Sequence, residues 1–469
     1  MNNVFDFRNR LINEYSSFSR SFSKVSAQDI LTAVEQEYDR GRYWPEPLIQ
    51  INPNYKRQGT VQQLVEQAVL HPHCADIFRT GKTEGKPADL HLYVHQLQAL
   101  AKAQSQQSYV VTTGTGSGKS LSFFVPIIDR ILKAKAADPQ KRTRAIVIYP
   151  MNALANSQLE ELDKFLHGYP ADEAPFTVAR YTGQESDTDR KQIADNPPDI
   201  LLTNFMMLEL ILTRFEDVDR RVVEHCQGLE FLVLDELHTY RGRQGADVAL
   251  LVRRLRERLQ AHQLVCIGTS ATMSSTGTQA DRNQTVATVA SLLFGAQITE
   301  HDVIGETLER VTNPAKNIQS VKSLLKPALL KERHQWPDFA AFSDDPLAVW
   351  VELSLGIELP VDEPPRRARP ITLGDAARRL ADDAQCTLEE ASAGLQRFLV
   401  AAHNVKTPQG RAPFAFKLHQ FISGPGKVLA TLEPEGVRHI TLDAQRYAPG
   451  RQDEGTQLYP VHFCRDCGQ

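Results

Sequence analysis

The sequence predicts an α/β protein built on a doubly wound parallel sheet, and three observations carry that prediction. Between residues 91 and 300, short apolar runs alternate with helical stretches. The runs are YVVTT (109–113), AIVIYP (145–150), FTVARYTG (176–183), DILLTN (199–204), FLVLDE (231–236) and LVCIGTSAT (264–272). Continuous apolar runs suit strands buried on both faces, and their alternation with helices suits βαβ units. Polar and glycine-rich clusters follow the runs at their carboxyl ends, where ligands of such sheets bind.

Bulk properties set the frame. A chain of 469 residues corresponds to roughly two to four domains at about 100–200 residues each. With 41% hydrophobic and 23% charged residues, the composition is that of an ordinary globular protein. No apolar run reaches the ~18 residues of a membrane span. The opening MNNVFDFRNRLINEYSSF lacks the apolar core of a secretory signal, so the expected compartment is the cytoplasm, with no membrane partner. Cys74, Cys226, Cys266, Cys386, Cys464 and Cys467 are too sparse for a disulfide framework. A net charge of −4 does not exclude nucleic acid, because one cleft needs only local positive charge and backbone amides. The basic runs KRTR (141–144), RRLRER (253–258) and PPRRARP (364–370) read first as solvated faces.

The pattern divides the chain into four regions. Residues 1–90 are mixed and largely helical, an N-terminal accessory region. Residues 91–300 carry the sheet. Residues 301–410 read as helical, with LGDAARRLADDAQ and TLEEASAGLQRFLVAAH as amphipathic helices. Residues 411–469 return to short strands and end in YPVHFCRDCGQ.

TGTGSGKS (113–120) follows a strand and precedes the helical stretch LSFFVPIIDRIL, the context of a phosphate-binding loop. Amides at a helix N-terminus point at the phosphates, and glycine lets the backbone come close. The cradle comprises Thr113, Gly114, Thr115, Gly116, Ser117, Gly118, Lys119 and Ser120. Lys119 is the expected partner of β- and γ-phosphates, and the Ser120 hydroxyl is the expected Mg²⁺ ligand. Thr113 stands where the general pattern has its first glycine.

FLVLDELHTY (231–240) supplies the partner: a buried strand with two carboxylates at its end. Asp235 is the candidate Mg²⁺ ligand. Glu236 is the candidate general base for the water that attacks the γ-phosphate.

A phosphate-binding loop, then DELH, then Ser270-Ala271-Thr272 after a further strand, resembles the motif order of superfamily 2 helicases, with DELH as a DEAH-like box. That resemblance implies a RecA-like lobe over 91–300 and a nucleic-acid-dependent ATPase. It implies roles for further residues. Gln96 in HQLQAL reads the adenine edge. Pro150 and Asn152 in YPMNALANSQ, Thr182-Gly183, and Thr203-Asn204 contact the sugar-phosphate backbone, which suits small hydroxyls and amides that read no base. His238, Ser270, Ala271 and Thr272 couple the nucleotide site to the nucleic-acid site. YPMNALANSQ together with DELHTYRGRQGADVALLVRRLR resembles the MrfA-like branch of bacterial DNA helicases, whose members carry cysteine-rich zinc modules. They include DNA-repair proteins and the large helicases of anti-phage systems such as Druantia and DISARM. The implied partners are DNA, single-stranded or duplex with a single-stranded end, and other defence or repair proteins.

Cys464-x-x-Cys467 is half of a zinc site, since tetrahedral Zn²⁺ needs four ligands. Cys386, His419 and His462 lack diagnostic spacing for the remainder, so Zn²⁺ is expected in an intact protein rather than here. Residues 300–469 contain no Q-x-x-G-R-x-G-R motif; APGRQDEG (448–455) lacks the second arginine. The expectation is the N-terminal part of a longer motor, one that holds ATP and hydrolyses it poorly alone. Two other readings stay open on sequence: an ATP-gated DNA-binding scaffold without strand separation, and an RNA helicase.

Overall fold

The computed structural model describes residues 3–21, 25–114, 116–170, 172–271, 278–360, 363–423 and 427–462. It has two compact units, Tyr55–Thr307 and the discontinuous pair Met1–Asn54 with Leu308–Gln469.

The unit Tyr55–Thr307 is built on seven strands: β1 (Tyr109–Thr112), β2 (Ala145–Tyr149), β3 (Val178–Tyr181), β4 (Ile200–Asn204), β5 (Phe231–Leu234), β6 (Val265–Ser270) and β7 (Val303–Gly305). Their order is β7-β1-β6-β5-β2-β4-β3, and every pairing is parallel. This is the doubly wound parallel α/β sheet that the apolar runs predict. Helices cover both faces: α1 (Val94–Gln104), α2 (Leu121–Ala137), α3 (Asn152–Leu166), α4 (Asp187–Asp195), α5 (Phe205–Thr213), α6 (Asp217–His225), α7 (Gly242–Arg258) and α8 (Gln279–Phe294). Strand residues divide between two cores by simple alternation. In β2, Ala145, Val147 and Tyr149 join one core while Ile146 and Ile148 join the other. Burial on both faces is why the strands read as unbroken apolar runs.

Pro126 lies inside α2 and has no N–H to give the carbonyl four residues earlier. That carbonyl belongs to Ser122, and the buried Tyr109 hydroxyl donates to it at 2.7 Å. The helix that starts at the phosphate loop is thereby tied to β1.

Two boundaries differ from the sequence pattern. Residues 55–90 pack with the sheet: Arg57–Thr60 pairs with His91–Tyr93, and Val61, Leu70, Ile77 and Phe78 enter the same core as α2. The edge strand β7 lies past residue 300 because it pairs with β1.

The second unit centres on Leu48–Asn52, flanked antiparallel by Ile371–Thr372 and Ala415–His419. Helices Ile318–Leu329, Pro346–Val351, Leu373–Ala384 and Leu388–Ala402 share a core with the wholly buried Trp350, Phe342 and Phe398. Glu352 is buried there, yet its carboxylate accepts from the amides of Val311 and Thr312 at 2.7 and 2.9 Å. A smaller sheet joins Leu429–Ala430 to Ile440–Thr441 and Tyr459–Pro460. No helix among the described residues is long and apolar enough to cross a membrane.

The basic runs have structural partners. Arg144 is wholly buried against Asp199 and Glu230, Arg254 pairs with Glu209, and Arg366 pairs with Glu358.

Candidate nucleotide and nucleic-acid site

The phosphate loop leaves β1 and turns into α2. Gly116 and Gly118 adopt φ of +78° and +65°, the left-handed region that glycine enters without strain. A Cβ on Gly118 would lie 2.8 Å from the Gln96 amide nitrogen. The loop is braced from α1: His95 Nε2 is 3.0 Å from the Ser117 carbonyl, and Gln96 donates to the Gly118 carbonyl at 2.9 Å. Thr113 and Ser117 share a hydroxyl hydrogen bond of 2.6 Å, and the Gly114 amide donates to Glu306 at 3.0 Å. Ser120 sits at the N-terminus of α2 with its hydroxyl not used as a helix cap.

The acid pair follows β5, one strand removed from β1. Lys119 Nζ lies 3.4 Å from Glu236 Oε1, so the loop lysine and the candidate base already meet. Glu236 has φ +54° and ψ +56°, a conformation that strains a non-glycine residue. It is held by the Glu236 amide donating to Thr269 Oγ1 at 3.1 Å and by a short turn over Leu237–Thr239. The Thr269 hydroxyl also donates to Asp235. Burial pushes the Asp235 carboxyl above its ordinary value; Thr269 and Lys119 oppose that shift, and Glu236 adds to it. His238 Nδ1 lies 3.2 Å from Glu236 Oε2 and 3.4 Å from the Ser270 hydroxyl. Ser270 is buried, and its hydroxyl donates to the Ala271 carbonyl at 2.7 Å.

Two phenols stand beside the acids. Tyr149 ends β2 and is 1% exposed, and Tyr240 is 3% exposed. Neither hydroxyl has a hydrogen-bond partner among the described residues. Burial first, and then the Asp235 charge, pushes both phenols above their ordinary value, so both keep their protons.

The backbone-contact candidates gather at the carboxyl ends of β2, β3 and β4. The Asn204 side-chain nitrogen donates to Asn152 Oδ1 at 2.7 Å and to the Thr182 carbonyl at 3.1 Å, while its Oδ1 accepts from the Met207 amide and caps α5. Pro150 is part-exposed and Gly183 is exposed. Glu185 accepts from the amides of Thr182 and Gly183 at 2.7 and 2.9 Å and pairs with Arg180 at 2.6 Å.

Two sequence expectations change here. Thr203 is wholly buried and its hydroxyl donates to the Tyr181 carbonyl at 2.6 Å, a bond that ties β4 to β3. Gln96 is 2% exposed, with its oxygen on the Tyr93 amide and its nitrogen on Gly118. Its amide braces the loop in this structure. Thr115, Thr272, Cys464 and Cys467 lie outside the described residues. Among the described residues, no group of three metal-ligating side chains occurs. Sequence reading missed Thr269, His95, Glu185 and Glu306, each of which acts across a long-range or loop-closing contact.

This sheet, with a lysine loop and an acid pair at its carboxyl edge, defines a P-loop nucleotide-binding domain. Residues 93–280 match the model of the DEAD/DEAH box helicase family. Similar proteins include the uncharacterized ATP-dependent helicase YprA of Bacillus subtilis, 33% identical over 39% of this chain and 23% of that protein. The Druantia protein DruE of Escherichia coli is 27% identical, over 39% of this chain and 16% of its own length. The ATP-dependent helicase HRQ1 of Saccharomyces cerevisiae is 30% identical, over 43% and 20%. This chain thus matches less than a quarter of the length of each. Among solved structures, the helicase MrfA bound to DNA covers 61% of this chain and 35% of its own, with 24% identity and a TM-score of 0.41.

Proposed function

We propose that this chain carries the first motor lobe of an ATP-dependent DNA helicase or translocase. The observation that supports it most is the meeting of Lys119 and Glu236 at 3.4 Å, between the phosphate loop and the carboxyl end of β5. In this reading Gly114, Gly116, Ser117, Gly118 and Lys119 receive the phosphates of ATP. Lys119 exchanges Glu236 for phosphate oxygens, which frees Glu236 to take a proton from the attacking water. His238 and Ser270 relay that change towards β6.

A divalent cation would be held by residues of the same two loops. Ser120 and Asp235 offer the hard oxygens that Mg²⁺ prefers, and two buried phenol hydroxyls without described partners flank the acids. Bound there, Mg²⁺ neutralises charge on the phosphates. Pro150, Asn152, Gly183 and Asn204 form the surface for a DNA backbone, with Thr182 and Thr203 fixing its shape from within. Zn²⁺ in an intact protein, with Cys464 and Cys467 as two of its four ligands, belongs to the same proposal, as does a setting in anti-phage defence or DNA repair with further protein partners. The Druantia relative supports the former setting.

The test is equilibrium binding of a fluorescent ATP analogue and of DNA and RNA oligonucleotides. Lys119→Ala is expected to weaken nucleotide binding about 10- to 100-fold, the worth of one charged hydrogen-bonding partner. Unchanged affinity in that variant removes the nucleotide site, and preference for RNA removes the DNA assignment.

A further inference from the structure

Tyr149 is a buried tyrosine whose hydroxyl has no described use, and its neighbours make that unusual. Tyr109 and Tyr181 are equally deep in the same unit. Both spend their hydroxyls, on the Ser122 carbonyl at 2.7 Å and on Asp219. Buried polar groups are nearly always paired, and leaving one unpaired costs about 1–3 kcal/mol. Among the described residues, the buried tyrosine hydroxyls without a partner are those of Tyr149 and Tyr240.

The sheet register says where Tyr149 points. Leu234 on β5 pairs with Ile148 on β2, and the Asp235 amide donates to the Ile148 carbonyl at 3.0 Å. Asp235 and Tyr149 are therefore the next residues on adjacent parallel strands. Ala145, Val147 and Tyr149 share one face with Phe231 and Val233, and alternation puts the Asp235 side chain on that same face. On its other side Tyr149 pairs with Asn204 of β4.

We propose that Tyr149 is a positioning residue for Asp235, its phenol O–H donating to that carboxylate, or to one water on it, when a nucleotide and its divalent cation are bound. Thr269 already fixes Asp235 from β6; Tyr149 fixes it from β2, so the carboxylate is set from both neighbouring strands. Because β2 runs on into Pro150 and Asn152, the same phenol links the cation site to the backbone-contact surface. This inference rests on the nucleotide-site reading above.

The experiment titrates Mg²⁺ into the full chain with a fluorescent ATP analogue, comparing wild type with Tyr149→Phe. Tyr149→Phe removes an unpaired buried hydroxyl, so its melting temperature is expected to equal or exceed that of wild type. Nucleotide affinity without Mg²⁺ stays the same. The half-saturating Mg²⁺ concentration rises about tenfold, the scale seen when an outer partner of a metal ligand is lost. In an Asp235→Asn background the same substitution has no further effect, because the group it acts through is changed. Superimposable Mg²⁺ titrations, or an additive effect in the double variant, overturn the inference. A wild-type protein that binds no nucleotide overturns the function proposed above and this inference with it.

Discussion

The hydroxyl of Thr269 donates to Asp235, and its oxygen accepts from the amide of Glu236. One β6 side chain therefore holds both members of the acid pair that follows β5, including a glutamate kept in a left-handed conformation. Thr269→Val keeps the shape and removes both bonds. It leaves an amide and a part-buried carboxylate short of a partner, at a cost of about 1–3 kcal/mol. The variant is expected to melt several degrees lower. Single-turnover ATP hydrolysis should fall more than ATP affinity, because a misplaced base harms the chemical step more than phosphate binding. Thr269→Ser retains the hydroxyl and should restore both. Equal losses in the Val and Ser variants would show that the methyl packing matters and the hydroxyl does not.

The residues that the sequence made legible share one trait: their type and their spacing along the chain suffice. The strands of the sheet are apolar on both faces, so they read as unbroken runs. TGTGSGKS and DELH announce themselves because local backbone chemistry demands those residue types. Contacts between strands are another matter. Thr269 precedes the Ser-Ala-Thr group by one position, and only the register of β5 on β6 brings it to Asp235. Leu237, the unusual third residue of DELH, packs so tightly on Gly268 that a Cβ there would lie 2.3 Å from Leu237 Cδ1. That pairing lies across two strands and leaves no local signal. Thr203 stands out by its motif, and only the fold shows that its hydroxyl is spent on the Tyr181 carbonyl of β3. Gln96 sits at the expected position, but its amide is taken from within by Tyr93 and Gly118. Residue type gave the chemistry in both cases; direction came only with the fold.

Glu185 makes the Thr182–Gly183 turn depend on pH. Burial alone would raise its carboxyl, but the Thr182 amide and the Arg180 guanidinium outweigh that and hold it below its ordinary value. A folded-state value under the unfolded one of about 4.3 gives a contribution that is fully present above that pH. It is lost as pH falls through the lower, folded value. Amide exchange at Thr182 and Gly183, corrected for intrinsic rates, should therefore be protected at neutral pH and lose protection in acid. Glu185→Gln should lack that acid-dependent step. Identical protection profiles in the two proteins would mean that the turn holds itself without the carboxylate.

Asn204 performs two tasks with opposite ends of one amide, and they can be separated. Its oxygen caps α5 at 2.7 Å from the Met207 amide, while its nitrogen joins Asn152 and the Thr182 carbonyl at the edge proposed to meet DNA. Asn204→Ala removes both, so it should lose about 1 kcal/mol from the cap and weaken DNA binding as well. Asn204→Asp keeps an acceptor for the Met207 amide, and a charge at a helix N-terminus is favourable. It should keep the cap and lose stability only through the two amide donations, to Asn152 and the Thr182 carbonyl, that a carboxylate cannot make. The same charge faces phosphates, so DNA affinity should drop irrespective of sequence, as expected for a contact to the backbone rather than to bases. Melting curves and oligonucleotide binding at one fixed salt concentration decide it. An Asn204→Asp protein that binds single-stranded DNA as tightly as wild type would move the nucleic-acid surface away from the ends of β2 and β4.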